Sequence, residues 1–246
     1  MKGMKKNMKH LIFDCKINKK YKRALQDLEY IFYGLQQICY DSKMQKISHP
    51  ILRPYYECDE LDSGVSSIMF LKDGGHITFH SFVKRNCYYM DIITNKDETL
   101  VKECVKRVFP YIEEESNVRV MNKSDTNEKF DKNIHFGPHI VCELSTELNM
   151  EKIFKLLPKI VVEIGMNPIL QPMVMEVDNY IDGIIIIAES HISIHYNKDT
   201  KIAYIDIFSC MPFNYDLIDK IFNNIGIIVY KKIYKRATKG EEKWKL

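Results

Sequence analysis

The chain has 246 residues, 46% of them hydrophobic, and its 36 basic and 33 acidic residues leave a net charge of +3. This length allows one large domain or two of ordinary size, and so small a net charge does not predict a nucleic-acid-binding surface. The basic start of the chain is not followed by the apolar region of a signal peptide. No apolar run is long enough to cross a membrane. The seven cysteines form no CxxC pair, which argues against a disulfide framework and a thiolate zinc site. We therefore expect a cytoplasmic protein without a metal, a disulfide framework, a nucleic-acid partner or a membrane partner.

Apolar periodicity predicts the elements of the first half of the chain. Residues 9–15 alternate as in a half-buried strand, and a helix is expected at about 20–42. Two or three strands follow this helix, then a second helix at about 97–112 and a last strand at 117–121. The apolar face of the first helix is formed by Leu25, Leu28, Ile31, Leu35 and Ile38.

The second half repeats this order of elements. Its helices are predicted at about 149–164 and 214–224, and its last strand at 226–234. Short segments also match between the halves at one common offset, and self-similarity of this kind indicates a duplicated module. The matching pairs are 75–80 with 190–195 and 89–94 with 204–209.

This repeat predicts an α+β fold of two tandem α/β-sandwich modules, each a mainly antiparallel sheet with helices on one face. The modules are expected at 1–121 and 136–246, joined by a polar linker at 122–135. Two modules of the same shape can pair as a pseudo-dimer.

The segment with the strongest chemical signal is 189–195, Glu-Ser-His-Ile-Ser-Ile-His, which is followed by Cys210. Its alternation predicts a strand that begins at the Glu189–Ser190 peptide bond. Two histidines four residues apart could share a metal ion on a helix. On a strand the same spacing separates them by about 13 Å, which is too far for one ion, so we reject a zinc site.

This combination of residues resembles the self-cleavage site of the bacterial S-adenosylmethionine decarboxylases. The resemblance implies that the Ser190 hydroxyl attacks the Glu189 carbonyl, that the chain is cut between them, and that Ser190 becomes a pyruvoyl group. In that family the pyruvoyl cofactor forms a Schiff base with the substrate amine and accepts electrons as carbon dioxide leaves. Cys210 matches the residue that donates a proton to the product.

The first module lacks the reactive residues at the matching positions. Gly75 stands where Ser190 stands, and Asn95 stands where Cys210 stands. Gly75 has no side chain from which a pyruvoyl group could form. The second module shows a different loss, because Asp182 stands where an upstream serine of the family is expected.

The helper residues are therefore predicted in the first module. Residues 64–66 are similar to the Gly-Val-Ser segment of the family, and His80 is similar to its processing histidine. The resemblance implies one composite site in which Ser66 or Ser67, together with His80, assists Ser190. A difference of one residue between the modules leaves the choice between the two serines open, and His195 is the alternative histidine.

The substrate is less well defined. Members of the family typically carry a glutamate four residues after the processing histidine, which holds the ribose hydroxyls of the substrate. Lys84 and Asp199 occupy the two corresponding positions, and the charge of Lys84 is wrong for that role. Three functions stay open: an S-adenosylmethionine decarboxylase of spermidine synthesis, a pyruvoyl-dependent arginine or ornithine decarboxylase, and a non-catalytic regulator of an active homologue. For the two enzymes we expect a small-molecule substrate, two chains after self-cleavage, and either a monomer or a further homodimer.

Overall fold

The computed structural model describes residues 8–55, 62–72, 74–129, 131, 135–188, 190–209, 213–214 and 216–238. The chain divides into two compact units, whose described parts are residues 8–122 and 123–238. Glu189 and Cys210 lie outside the described residues. Within the part of the chain that is described, no helix is both long and apolar enough to cross a membrane.

The first unit is a six-stranded sheet with two α-helices and two short 3₁₀ segments. Every neighbouring pair of strands is antiparallel, and the order across the sheet is β2-β3-β4-β5-β1-β6. The elements are β1 (Lys9–Lys16), a 3₁₀ helix (Lys19–Leu25), α1 (Leu28–Asp41), β2 (Ile51–Tyr55), β3 (Gly64–Leu71), β4 (Gly75–Phe82), β5 (Cys87–Thr94), α2 (Glu98–Val108), a 3₁₀ turn (Glu113–Glu115) and β6 (Asn117–Met121).

The second unit repeats this topology strand for strand. Its sheet has the order β8-β9-β10-β11-β7-β12, again with antiparallel neighbours throughout. Its elements are β7 (His135–Ser145), α3 (Met150–Glu163), β8 (Met173–Val177), β9 (Tyr180–Ile187), β10 (Ser190–Asn197), β11 (Ile202–Phe208), α4 (Asp216–Asn223) and β12 (Ile227–Thr238). The predicted α+β class and the duplication are confirmed, whereas the pairing of the modules as a pseudo-dimer stays a prediction.

Two details of the predicted elements are wrong. Four strands, not two or three, separate the two α-helices of each unit. The helix expected at 20–42 is also interrupted, because Asp27 has an extended backbone and its carboxylate accepts the N–H of Tyr30. Such an N-cap starts a new helix, so Leu25 stays buried in the preceding 3₁₀ segment while Leu28 is 43% exposed.

The helices of each unit cover one face of its sheet. In β10, Ile192 and Ile194 belong to the same buried core as Ile153 and Leu157 of α3. Side chains alternate along a strand, so the residues between these isoleucines lie on the opposite face, which we call the helix-free face. On β10 the residues of the helix-free face are His191, Ser193 and His195, and all three are buried.

The residues predicted as a linker lie partly along the last strand of the second unit. The N–H of Glu128 donates to the carbonyl of Ile233 at 2.9 Å, and the N–H of Ile233 donates to the side chain of Asn127 at 3.2 Å. The hydroxyl of Tyr234 donates to Asp125 at 3.2 Å. This stretch therefore extends the hydrogen bonding of β12, as the unpaired edge of a sheet allows.

Candidate active site

Ser190 is the first residue of β10 and is fully buried. It pairs with Ile187, the last residue of β9, so only two residues, 188 and 189, connect the two strands. A connection of this length is a tight β-hairpin turn. The peptide bond predicted to be cut, between Glu189 and Ser190, therefore joins a hairpin turn to the strand that follows it.

The segment that leads to Cys210 lies beside the start of β10. The ladder between β10 and β11 ends with the pair His191 and Phe208, which are the direct neighbours of Ser190 and Ser209. Ser209 is buried, and its N–H donates to the carbonyl of Pro138 at 3.3 Å. Cys210 follows Ser209 in the sequence. Antiparallel pairing thus brings the end of β11 to the residue predicted to react.

The matching position of the first unit has no room for a side chain. A Cβ atom built on Gly75 would lie 2.0 Å from the carbonyl oxygen of Ile93, on the neighbouring strand β5. Three residues connect Leu71 to Gly75, one more than in the second unit, and Gly74 among them has a φ of 76°. The two hairpins therefore differ in length, and a serine is accommodated at the start of only one of the two following strands.

The extra residue in the first hairpin determines which of the two serines, Ser66 or Ser67, pairs with His80. The register pairs His80 with Ser66 in the first unit and His195 with Asp182 in the second. Ser66 Oγ lies 2.9 Å from His80 Nδ1, and both residues are fully buried. The extra residue falls in the turn, so Ser66, not Ser67, occupies the position of Asp182.

Ser67 lies on the opposite face of its sheet. Its partner in the register, Phe79, belongs to the buried core beneath the helices. The matching residue of the second unit is Gly183, where an added Cβ would lie 2.4 Å from Ile153 on α3. Ser67 therefore faces the helix layer of its own unit and does not share a face with His80.

His195 contacts a carboxylate in its own unit. Its Nδ1 lies 2.8 Å from a carboxylate oxygen of Asp182, and both side chains are buried. His195 lies five residues after Ser190 on the same strand, which corresponds to about 17 Å. A histidine side chain cannot bridge that distance. The structure therefore does not bring these two predicted site residues together within the second unit.

The two residues predicted near the substrate lie on exposed turns. Asp199 follows β10 and accepts a hydrogen bond from the Asn179 amide at 2.6 Å. This is the end of β10 opposite to Ser190, so Asp199 does not lie beside Ser190. Lys84 is exposed in the turn between β4 and β5, where its backbone N–H donates to Asp62 at 2.9 Å.

A buried polar network that the sequence reasoning did not identify lies on the helix-free face of the second unit. It contains Arg236, His139, Asp206 and His191, all fully buried. The first unit repeats one of its contacts, with His10 Nε2 lying 3.1 Å from Asp91. A signal was present, because each histidine and aspartate lies in a segment that matches between the two halves, at strand positions where apolar residues are the rule.

The five cysteines that the structure describes are buried structural thiols. Burial raises the pKa of Cys39 and of Cys142 to about 12, and it raises the pKa of the other three thiols as well. A thiol in such an environment is a weak nucleophile. The remaining three are Cys15, Cys87 and Cys104.

Comparison with known proteins finds one family model that is similar to part of the chain. Residues 139–225 match the model of the S-adenosylmethionine decarboxylase family. Among solved structures, the chain is similar to the crystal structure of the adenosylmethionine decarboxylase from Aquifex aeolicus, with 14% identity and a TM-score of 0.39. That match covers 50% of this chain and 96% of the Aquifex chain. No curated protein matches the sequence.

Proposed function

We propose that the chain is a self-processing, pyruvoyl-dependent decarboxylase of the S-adenosylmethionine decarboxylase family, whose model matches residues 139–225, and that it is cut between Glu189 and Ser190. The observation that carries the proposal is the position of Ser190 inside the matched region, as the buried first residue of a strand directly after a two-residue turn. The matching glycine of the first unit cannot take the same part, since a side chain there would meet the backbone of β5.

Self-cleavage would proceed in three chemical stages. The Ser190 hydroxyl attacks the carbonyl carbon of Glu189, the peptide C–N bond breaks, and the hydroxyl proton passes to the nitrogen. The amide thereby becomes an ester, and the nitrogen becomes a free amine. A base then removes the Cα proton of Ser190, the Cβ–Oγ bond breaks, and Glu189 leaves as a carboxylate. The dehydroalanine left at residue 190 takes up water and releases ammonia, which leaves the pyruvoyl ketone at the new N-terminus.

A serine hydroxyl needs help to attack an amide, and Ser66 with His80 is the best candidate pair. Their polar atoms lie within hydrogen-bond distance, so the imidazole can orient the Ser66 hydroxyl or exchange a proton with it. His195 is a poorer candidate, because its Nδ1 faces a carboxylate and because it lies about 17 Å along the strand from Ser190. We propose that the first unit supplies the two residues, Ser66 and His80, that assist Ser190.

The position of Ser190 fits the pyruvoyl group, because the second unit accommodates a residue with a side chain where the first unit accepts only glycine. Once formed, this group supplies a ketone that acts as an electron sink for the loss of carbon dioxide from an amine substrate. Cys210 is proposed to donate the proton that replaces the carboxylate. It follows Ser209 in the sequence, and the end of β11 before Ser209 pairs with His191, the residue after Ser190.

We propose S-adenosylmethionine as the substrate, which makes the product a donor of aminopropyl groups for spermidine synthesis. Lys84 favours a second candidate, a basic amino acid such as arginine or ornithine, because a cation does not accept hydrogen bonds from ribose hydroxyls. The exposed carboxylate of Asp199 does not restore that role in its own unit, since it lies at the far end of β10.

Intact-mass measurement of the purified protein tests the cleavage. The expected products are residues 1–189 and 190–246, the second lacking a free amino terminus. A chain that stays whole after long incubation contradicts the proposal. Carbon dioxide release from labelled S-adenosylmethionine, arginine and ornithine, measured in parallel, then tests the substrate. Release from an amino acid alone overturns the choice of S-adenosylmethionine and leaves the self-cleavage unaffected.

A further inference from the structure

Four buried side chains of the second unit form one continuous chain of hydrogen bonds. Arg236 Nη1 lies 2.9 Å from His139 Nδ1, and Asp206 Oδ2 lies 3.0 Å from His191 Nε2. The other carboxylate oxygen of Asp206 contacts His139 Nε2. The four residues come from β12, β7, β11 and β10, so the chain runs across four strands to the residue that follows Ser190.

The chemistry of the four groups fixes the direction of these hydrogen bonds. A guanidinium group can only donate, so His139 Nδ1 accepts from Arg236 and the proton of His139 is on Nε2. That N–H donates to Asp206, and the second carboxylate oxygen accepts the N–H of His191. Each imidazole is therefore held in one orientation, and the buried negative charge of Asp206 is balanced by the buried positive charge of Arg236.

We propose that Arg236, His139, Asp206 and His191 form a positioning relay that holds the Ser190–His191 segment in the geometry for self-cleavage. This inference rests on the proposed function. Ser190 is the terminal residue of its strand, and strand ends are where local order is weakest. Anchoring the His191 ring limits the movement of the backbone to which Ser190 is bonded, and the attack of a hydroxyl on a neighbouring carbonyl is sensitive to small displacements.

The arginine of the relay is contributed by the unit that carries the proposed reactive serine. In the first unit, Met121 is the last residue of β6 and pairs with His10. The matching residue of the second unit is Tyr234, which pairs with His139, and its strand β12 continues to Thr238. That continuation carries Arg236. The residue two positions after Met121 is Lys123, which contacts Glu143 in the second unit instead.

Arg236 also stabilises the strand that leads to the thiol. Its guanidinium lies 4.5 Å from the centre of the Phe208 ring, and Phe208 pairs with both His191 and His139. A cation over an aromatic face is attractive, and more so when both groups are removed from water. Arg236 thus helps to hold His191, which follows Ser190, and Phe208, which precedes Ser209.

The matched pair Asp206→Asn and Asp91→Asn tests this relay. Both aspartates are fully buried and both contact a histidine of the first strand of their unit. Asp206 in addition contacts His191, the residue after Ser190. We expect Asp206→Asn to slow self-cleavage of freshly made full-length chain at least about tenfold, and Asp91→Asn to change it less than about threefold. Equal slowing by the two changes overturns the inference.

The loss of stability is measured separately, with both substitutions placed in a Ser190→Ala background that stays whole. Similar thermal unfolding midpoints with unequal cutting support a positioning role. A loss of stability confined to Asp206→Asn is checked with the milder change Arg236→Lys, which keeps the charge but not the planar fork. Folded Arg236→Lys that cuts at the unmodified rate overturns the inference.

Treatment with hydroxylamine shows whether the relay acts before or after the ester forms, because hydroxylamine cleaves an ester but leaves an amide intact. If the relay positions the attacking hydroxyl, uncut Asp206→Asn protein contains the amide, and hydroxylamine releases no fragments. Release of residues 190–246 at the unmodified rate shows that the ester has formed and overturns the proposed step. If the unsubstituted chain itself never cuts, the proposed function fails; if it cuts and Asp206→Asn cuts equally fast, only the relay fails.

Discussion

The two units share a six-stranded order and differ most at one strand start. In the second unit a two-residue turn leads into Ser190, and in the first unit a three-residue turn leads into Gly75. The lost side chain leaves a space that the backbone of Ile93 occupies, 2.0 Å from the position of a Cβ. The first unit therefore keeps the strand order of the second although it has no room for a side chain at this position.

A second contrast concerns the histidine that each unit holds on its fourth strand. His80 lies beside a neutral hydroxyl and His195 beside a carboxylate, at equivalent register positions. A histidine paired with a hydroxyl can orient that hydroxyl or exchange a proton with it, whereas an ionised carboxylate can only accept hydrogen bonds from the ring. The unit without a reactive serine has thus kept the pair better suited to acid–base help.

The largest expected effect comes from removing the hydroxyl of Ser190. Ser190→Ala should abolish both cutting and carbon dioxide release, because no other atom of that residue can form the ester. Intact mass and labelled substrate measure the two outcomes. Ser193→Ala is the control, since Ser193 is an equally buried serine of the same strand. Cutting of Ser190→Ala at the same bond would contradict the mechanism.

The next effect separates the two histidines. We expect His80→Ala to slow cutting by about a hundredfold or more, the range typical for loss of an acid–base group, and His195→Ala to leave the rate nearly unchanged. The same comparison applies to Ser66→Ala and Ser67→Ala, because only Ser66 shares a face with His80. The time course of cutting, followed on a gel, is the measurement. A slow His195→Ala with a normal His80→Ala would reverse the assignment.

A change at the strand start of the first unit should affect stability rather than chemistry. Gly75→Ser is expected to lower the free energy of unfolding by roughly 1–3 kcal/mol or more, because its Cβ would overlap the carbonyl of Ile93, and no cut should appear near residue 75. Urea unfolding of the Ser190→Ala protein gives the measurement. Gly165→Ala, which has open space but a φ of 74°, is the control and should cost about 1 kcal/mol.

The smallest expected effect concerns the low reactivity of the buried thiols. With a pKa of about 12, Cys39 and Cys142 should resist alkylation of the native protein near pH 7.5, since only the thiolate reacts. Because folding keeps these groups protonated, their contribution to stability is present below the ordinary thiol pKa of 9.0 and declines as pH rises above it. Peptide mapping after labelling checks the first point, and urea unfolding against pH checks the second.

Cys210→Ala complements that labelling experiment. The proposed proton donor acts only after the cut, so this variant should cut at close to the normal rate and lose most of its turnover. Cys142→Ala is the matched control, because Cys142 is a buried thiol of the core. Cys210→Ala protein that fails to cut, or that cuts and keeps its full turnover, contradicts the assigned role.

Much of the fold follows from local patterns. Alternating apolar residues identify the strands around 75–80 and 190–195, and helical spacing identifies α3 within a residue or two. The interruption before α1 could not be found by spacing alone, because the cap at Asp27 breaks the helix while the apolar residues continue across it. Local capping chemistry competes with periodicity at such points.

The duplication and the α+β class follow from the sequence alone, as does the proposal of Ser190 as the reactive serine, because these depend on residue type and on short-range order. Only the tertiary structure decided which serine accompanies His80, since a single residue in a hairpin turn reverses the face on which every later side chain lies. It also assembled the relay, whose members are separated by 97, 67 and 15 residues along the chain and meet only through strand pairing.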